Sequence, residues 1–194
     1  MDGKYKGKYR ISSARLQSWD YRWAGAYFIT ICTHNREHYF GEVVDGKMKL
    51  SSIGVIADIL LYEINHRTKN VQLGEFVVMP NHIHVVLILI NDSVPVPVET
   101  LRATSLRERE RDQERETINE QMANISPKSG SVSTIIRSYK SAVTKHAHRL
   151  GFEFGWQTRF YDHIIRDETS FNYISNYIIN NPQKWSEDKF YKNQ

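Results

Sequence analysis

Two histidines one residue apart, His82-Ile83-His84, open an apolar run that continues through Val85-Val86-Leu87-Ile88-Leu89-Ile90. In an extended strand alternate side chains share a face, so His82 and His84 point one way and Ile83 the other. Two imidazoles at adjacent positions of one face can hold a single metal ion or a phosphate, while the intervening isoleucine anchors the strand in a core. A single histidine in such a strand more often makes an ordinary hydrogen bond. A pair at this spacing in an otherwise apolar strand favours a metal or phosphate site.

The elements that must position this pair follow from the neighbouring pattern. Phe76-Val77-Val78-Met79 precedes the histidines and is joined to them by Pro80-Asn81, which predicts a tight antiparallel hairpin over 71–90. Upstream, Ala26–Thr33 is a β-former run that reads as a strand buried on both faces. Tyr39–Leu50 predicts a second hairpin turning at Asp45-Gly46. Ser51 or Ser52 can cap a helix carrying Ile53, Ile56, Ile59, Leu60 and Ile64 to about His66-Arg67. Downstream, Ser129–Leu150 is an amphipathic helix with Val132, Ile135, Ile136, Tyr139, Val143 and Ala147 inward. Residues 152–165 predict a short strand and its return. A last helix, capped near Thr169 or Ser170, runs through Phe171, Ile174, Tyr177 and Ile178 until Asn180-Asn181-Pro182 stops it. The order strand, helix, two-stranded hairpin, helix, strand and extra helix is the split β-α-β arrangement of a ferredoxin-like α+β fold. Its antiparallel sheet would carry helices on one face, and the strand bearing the two histidines would be central.

The 194 residues suit a single domain, 1–194, with a basic arm over 1–20 and a charged insertion at about 91–127. The insertion, with Leu106-Arg107-Glu108-Arg109-Glu110-Arg111 at its heart, has mixed charge and no apolar stripe, so it reads as a solvated excursion. No apolar run approaches the length of a membrane span, and residues 1–10 are polar and basic rather than leader-like, so no membrane partner is expected. Cys32 is the only cysteine, which excludes an intrachain disulfide and fits a reducing, cytoplasmic setting.

The chain has 26 Lys and Arg against 22 Asp and Glu, and without residues 99–120 it has 21 against 15. A basic body with 11 Tyr, 8 Phe and 4 Trp leans toward a polyanion, since bases stack on aromatic rings. Lys4, Lys6, Lys8 and Arg10 form an arm that is either unstructured or ordered by nucleic acid. Arg137 and Lys140, on the outer side of the amphipathic helix, are either merely solvated or aligned along a phosphate backbone. Arg159 is a further candidate contact, beside Trp156, which serves equally well as a core plug. Asp162-His163 leaves open a supporting pair or a cap with a surface histidine.

Three blocks taken together, Met79–His84, Trp156–Arg166 and Tyr177–Pro182, resemble the single-tyrosine HUH transposases, and within them most closely the REP-associated tyrosine transposases. Gly25–Arg36 is similar to the opening strand of that group. The resemblance covers most of residues 10–188 outside the insertion. It implies a ferredoxin-like endonuclease acting on single-stranded DNA, often at hairpin-forming repeats, as a monomer or a homodimer. Carried over by position, it implies His82, His84 and Asn181 as ligands of a divalent metal, Mg2+ or Mn2+, and Tyr177 as nucleophile on the extra C-terminal helix. Asn181 follows Tyr177 by four residues, so one helix face could present both.

That resemblance implies attack of Tyr177 on a phosphodiester to give a 5′-phosphotyrosine, followed by strand transfer to another 3′-hydroxyl. No general base for the phenol is evident in the sequence. Tyr173, one turn earlier, is a competing nucleophile, and Asn181 has the alternative of a plain helix-stop residue. Two other functions remain in view: a DNA-binding module that no longer cuts, and a replication-initiator or relaxase-type nickase. The presence of both histidines, the tyrosine and the amide argues against the first. The terminal-helix tyrosine followed by Asn-Pro argues against the second.

Overall fold

The computed structural model describes residues 4–5, 8–9, 19–90 and 130–191. The insertion at 91–127, most of the basic arm, and with it Lys6 and Arg10, lie outside the described residues. Lys4 and Lys8 fall on two short paired strands, β1 (Lys4–Tyr5) and β2 (Lys8–Tyr9), of which only the backbone is described.

Then follow β3 (Gly25–Cys32), the hairpin of β4 (Gly41–Val44) and β5 (Lys47–Leu50), and helix α1 (Ser52–Arg67). The chain continues through β6 (Val71–Met79), β7 (His82–Leu89), α2 (Val132–Arg149), β8 (Tyr161–Ile165) and α3 (Glu168–Asn180). Strands β6, β7, β3 and β8 form one antiparallel sheet in that order, with the histidine strand β7 inside it. The fold is α+β, as the pattern predicts.

Strand alternation divides the sheet into two working faces. Tyr27, Ile29, Ile31, Ile83, Val85 and Leu87 point to one face and are buried against α1 and α2 through Ala57, Leu61, Ile136 and Val143. The partners on the other face are read from the register: Cys32 opposite His82, Thr30 opposite His84, and Phe28 opposite Val86. That face is covered by α3, where Ile174 and Ile178 pack on Val86 and Ile165. Helices therefore occupy both faces: two form the main core and the third roofs the histidines.

Two backbone features keep these faces in register. Between Leu73 and Phe76 the pairing with β7 shifts by one residue, a bulge at Gly74. Leu73 and Phe76 are three apart, yet both join the main core because of it. A Cβ at Gly74 would lie 3.1 Å from Val86 Cβ, so the close strand approach wants glycine. In the β4–β5 hairpin, Asp45 and Gly46 both have positive φ, 51° and 70°, as a two-residue type I′ turn requires.

Three local expectations change. The last helix is capped by Asp167, whose carboxylate accepts from Ser170 N at 2.7 Å, and starts before Thr169 and Ser170. It does not end abruptly at Asn181: that residue keeps helical dihedrals and leads into a 3-10 turn, Pro182–Glu187, with Pro182 at its first position, where no N–H is needed. Of the strand and return over 152–165, only β8 is a strand. The earlier part makes a single bridge, Thr33 to Trp156. There Trp156 is a partly buried plug against Phe40 and Phe154, its Nε1 donating to the Lys140 carbonyl at 3.1 Å.

Candidate metal and tyrosine centre

Beginning β7 right after the Pro80 turn places His82 and His84 on the α3 side of the sheet, both fully buried, with ring centroids 4.5 Å apart. Each ring is held through Nδ1. His82 Nδ1 lies 2.9 Å from Asn81 Oδ1, and His84 Nδ1 lies 2.9 Å from Thr30 Oγ1. The Asn81 amide nitrogen is already committed as donor to the Phe190 carbonyl at 2.9 Å. Its oxygen therefore faces His82 as acceptor, Nδ1 carries the proton, and Nε2 is left with its lone pair. That Nε2 is buried and has no hydrogen-bond partner among the described residues.

Helix α3 brings Tyr177 over the pair. Its hydroxyl lies 3.2 Å from His84 Nε2, and its ring packs edge-on against Phe28 at 6.3 Å. One turn on, Asn181 is buried, and its Oδ1 is the second polar atom of this cluster without a partner. The structure thus brings together all four residues the sequence reading linked: His82, His84, Tyr177 and Asn181. Tyr173 is 74 % exposed on the solvent side of the helix, away from the histidines.

A fifth group joins them that the sequence reading missed. After the 3-10 turn the chain returns with Asp188, whose Oδ2 accepts from Tyr177 Oη at 3.2 Å and from Asn181 Nδ2 at 3.1 Å. Its other oxygen accepts from Phe190 N at 2.7 Å. Ligating atoms of His82, His84 and Asp188 all lie within 4.8 Å of one another, a grouping that could hold a metal ion. In the sequence Asp188 follows Glu187 in a polar tail and carries no signal separating it from a surface acid. Only the 3-10 turn after Pro182 reveals it.

The electrostatics follow from burial. Desolvation holds both imidazoles neutral: His84 is lowered to about 3 and His82 well below its ordinary value, His84, Arg36 and Lys189 adding to the effect on His82. The Tyr177 phenol is pushed up to about 12, first by burial and then by the Asp188 charge. At neutral pH it is protonated.

Donor chemistry fits a divalent cation. Two neutral imidazoles, one with an orphaned buried lone pair, meet a carboxylate and an orphaned amide oxygen; burying such atoms unpaired costs free energy. Phe190 packs against the site, its ring tilted on His82 at a centroid distance of 4.5 Å, and the Arg36 guanidinium lies 4.6 Å from the Phe190 ring centre. Arg36 and Lys189 make this rim cationic.

The remaining candidates are dispersed. Arg137 is exposed on α2, and Arg159 is exposed before β8. Lys140 is half-buried, donating from Nζ to the Gln157 carbonyl at 2.6 Å. Asp162 and His163 cannot form a joint support, since the register puts Asp162 opposite Ile29 and His163 opposite Phe28, on opposite faces.

No family model matches the sequence. A protein of Haemophilus influenzae described as uncharacterized is 34% identical over 198 residues, spanning 98% of this chain and 99% of the relative. The chain belongs to the family of that Haemophilus protein. Among solved structures, a REP-associated tyrosine transposase bound to a REP hairpin is similar, with a TM-score of 0.54 and 17% identity over 92% of this chain and 77% of the other. At that identity the likeness is one of fold, and it agrees with the resemblance to tyrosine transposases carried by the sequence blocks. Among the described residues no helix is long and apolar enough to cross a membrane.

Proposed function

We propose that this chain is a divalent-metal-dependent endonuclease and strand transferase for single-stranded DNA, a transposase working through a 5′-phosphotyrosine on Tyr177. The observation that carries the reading is the 3.2 Å approach of Tyr177 Oη to His84 Nε2, beside the unpartnered Nε2 of His82. Hairpin-forming repeat DNA is the proposed substrate, supported by the REP hairpin bound to the protein of similar fold.

His82, His84 and Asn181 would hold the cation, with Asp188 close enough to join them. A bound Mg2+ or Mn2+ would polarise a non-bridging oxygen of the scissile phosphate and help align it. The carboxylate adds a hard anionic oxygen to an otherwise neutral donor set, which suits those ions better than imidazoles alone.

Tyr177 supplies the nucleophile. Its oxygen forms a bond to phosphorus as the P–O3′ bond breaks, leaving a 5′-phosphotyrosine and a free 3′-hydroxyl protonated from solvent. The phenolic proton passes to Asp188 Oδ2, already its acceptor at 3.2 Å, which supplies the base absent from the sequence reading. Asp188 also holds Asn181 by its amide nitrogen, leaving Asn181 Oδ1 available. Because the phosphotyrosine conserves the phosphodiester energy, a second 3′-hydroxyl can reverse the step without ATP and so join strands. Arg137, Lys140 and Arg159 are proposed backbone contacts, with Lys4, Lys6, Lys8 and Arg10 of the arm. Lys140 commits one of its three donors to Gln157 and keeps two.

The test is a labelled hairpin oligonucleotide with single-stranded flanks, resolved on a denaturing gel. A protein–DNA adduct that appears with Mg2+ or Mn2+ and vanishes with EDTA or Tyr177→Phe supports the enzyme. Tight retention of the hairpin without any adduct would instead identify a binding module.

A further inference from the structure

The β4–β5 hairpin lies outside the four-stranded sheet, and the chemistry proposed above does not use it. Together with the 3-10 turn Pro182–Glu187 it encloses an open cleft of about 500 Å3. His38, Glu42, Gln183, Trp185, Ser186 and Tyr191 line it. Trp185 is the shared wall: it faces the cleft, and its ring centroid is 5.9 Å from that of His82. Tyr191, 40% exposed, meets Trp185 edge-on at 5.4 Å, and His38 meets it at 5.9 Å.

Trp185, Tyr191 and His38 give this lining aromatic surface, and Glu42, Gln183 and Ser186 add a carboxylate, an amide and a hydroxyl. A small pocket with a few convergent polar groups, one ring away from a reactive centre, suits a planar heterocycle with hydrogen-bonding edges. Unpaired bases are recognised in this way, by stacking on aromatic side chains and hydrogen bonds to their pairing edge. The cationic rim at Arg36 and Lys189 lies by the metal site and suits the strand's phosphates.

We infer that this cleft takes one unpaired base next to the scissile phosphate, stacking it on Tyr191 and reading its edge with Glu42, with guanine preferred. Guanine is the base whose pairing edge presents two adjacent donors, N1–H and N2–H, to both oxygens of one carboxylate. Adenine and cytosine present an acceptor beside their donor, and thymine flanks its single donor with two carbonyls. The inference rests on the reading of the site as acting on single-stranded DNA. It adds the base that the site selects.

Binding is measured by fluorescence anisotropy in EDTA, so that no cleavage step enters. The probes are labelled hairpin oligonucleotides with all-thymine flanks, and the same flanks with one guanine moved position by position. Guanine at one flank position should tighten binding about tenfold. Glu42→Gln should erase that preference, so that the guanine and all-thymine probes bind that variant with the same Kd, while Tyr191→Ala should weaken the guanine probe about tenfold. The pocket assignment is overturned if no position prefers guanine, if the preference survives Glu42→Gln, or if Tyr191→Ala has no effect. Failure of the wild-type protein to bind any of these strands would overturn the single-stranded DNA reading along with it.

Discussion

The side-chain oxygen of Asn81 accepts from Nδ1 of its neighbour His82 across 2.9 Å, while the amide nitrogen of Asn81 donates to the Phe190 carbonyl. One amide thereby orients the His82 ring, a candidate ligand, and ties the C-terminal segment down over it. The proton is fixed on Nδ1, so the lone pair that could bind a metal is on Nε2, inside the site.

Removing this support should weaken metal binding without touching a ligand. Asn81→Ala is expected to lower Mn2+ affinity about 10- to 100-fold, the usual cost of losing a partner that orients a ligating histidine. Calorimetric titration of the purified variant with Mn2+ measures it. Unchanged affinity would mean that the His82 ring is oriented by packing against Trp185 and Phe190 alone.

Both imidazoles are buried neutral, and this gives metal-free protein a defined pH dependence. Their folded pKa values lie below the ordinary 6.5, so the unfolded chain takes up protons that the folded chain refuses. Stability is therefore fully present above about pH 6.5 and is lost as pH falls toward about 3, the His84 value. Each histidine contributes at most about 1.4 kcal/mol per pH unit in that window. The urea midpoint in EDTA should drop between pH 7 and pH 5, and drop less in His82→Gln and His84→Gln. Equal drops in all three proteins would show that other groups govern acid unfolding.

Tyr177 and His84 meet within one chain, so the proposed centre can assemble without a second copy. Mixing Tyr177→Phe with His82→Ala should restore no adduct formation beyond that of either variant alone. Recovery of activity in the mixture would reveal exchange of the tyrosine helix between protomers.

Much of this centre was legible because it depends on short-range periodicity. Alternation alone put His82 and His84 on one face, and the four-residue spacing put Tyr177 and Asn181 on one helix side. Of the two serines that could cap α1, Ser51 and Ser52, it is Ser51 that accepts from Gly54 N. What escaped depends on contacts between distant segments. Thr30 supports His84 only through the β3–β7 register, and Asn81 looked like a turn residue because its acceptor role needs Phe190 to occupy its nitrogen. The cap of α3 was placed too late because the apolar period begins at Phe171, whereas the cap lies outside that period at Asp167.

Asp188 is the proposed acceptor of the Tyr177 proton, and its substitution separates charge from shape. Asp188→Asn keeps an oxygen that can accept from Tyr177 and Asn181 but removes the negative charge. If the carboxylate takes the phenolic proton, adduct formation should slow about 10²- to 10⁴-fold while hairpin binding stays within about twofold. The same change removes the carboxylate grouped with His82 and His84, leaving them a neutral donor set that favours Mn2+ over Mg2+. Residual activity should then survive better in Mn2+, and the ratio of the two rates isolates the ligand role from the proton role. The phenol should also titrate below about 12, since the Asp188 charge and hydrogen bond both hold it up. A variant that nicks at the wild-type rate in Mg2+ would remove Asp188 from the chemistry and return it to fastening the C-terminal segment through Phe190.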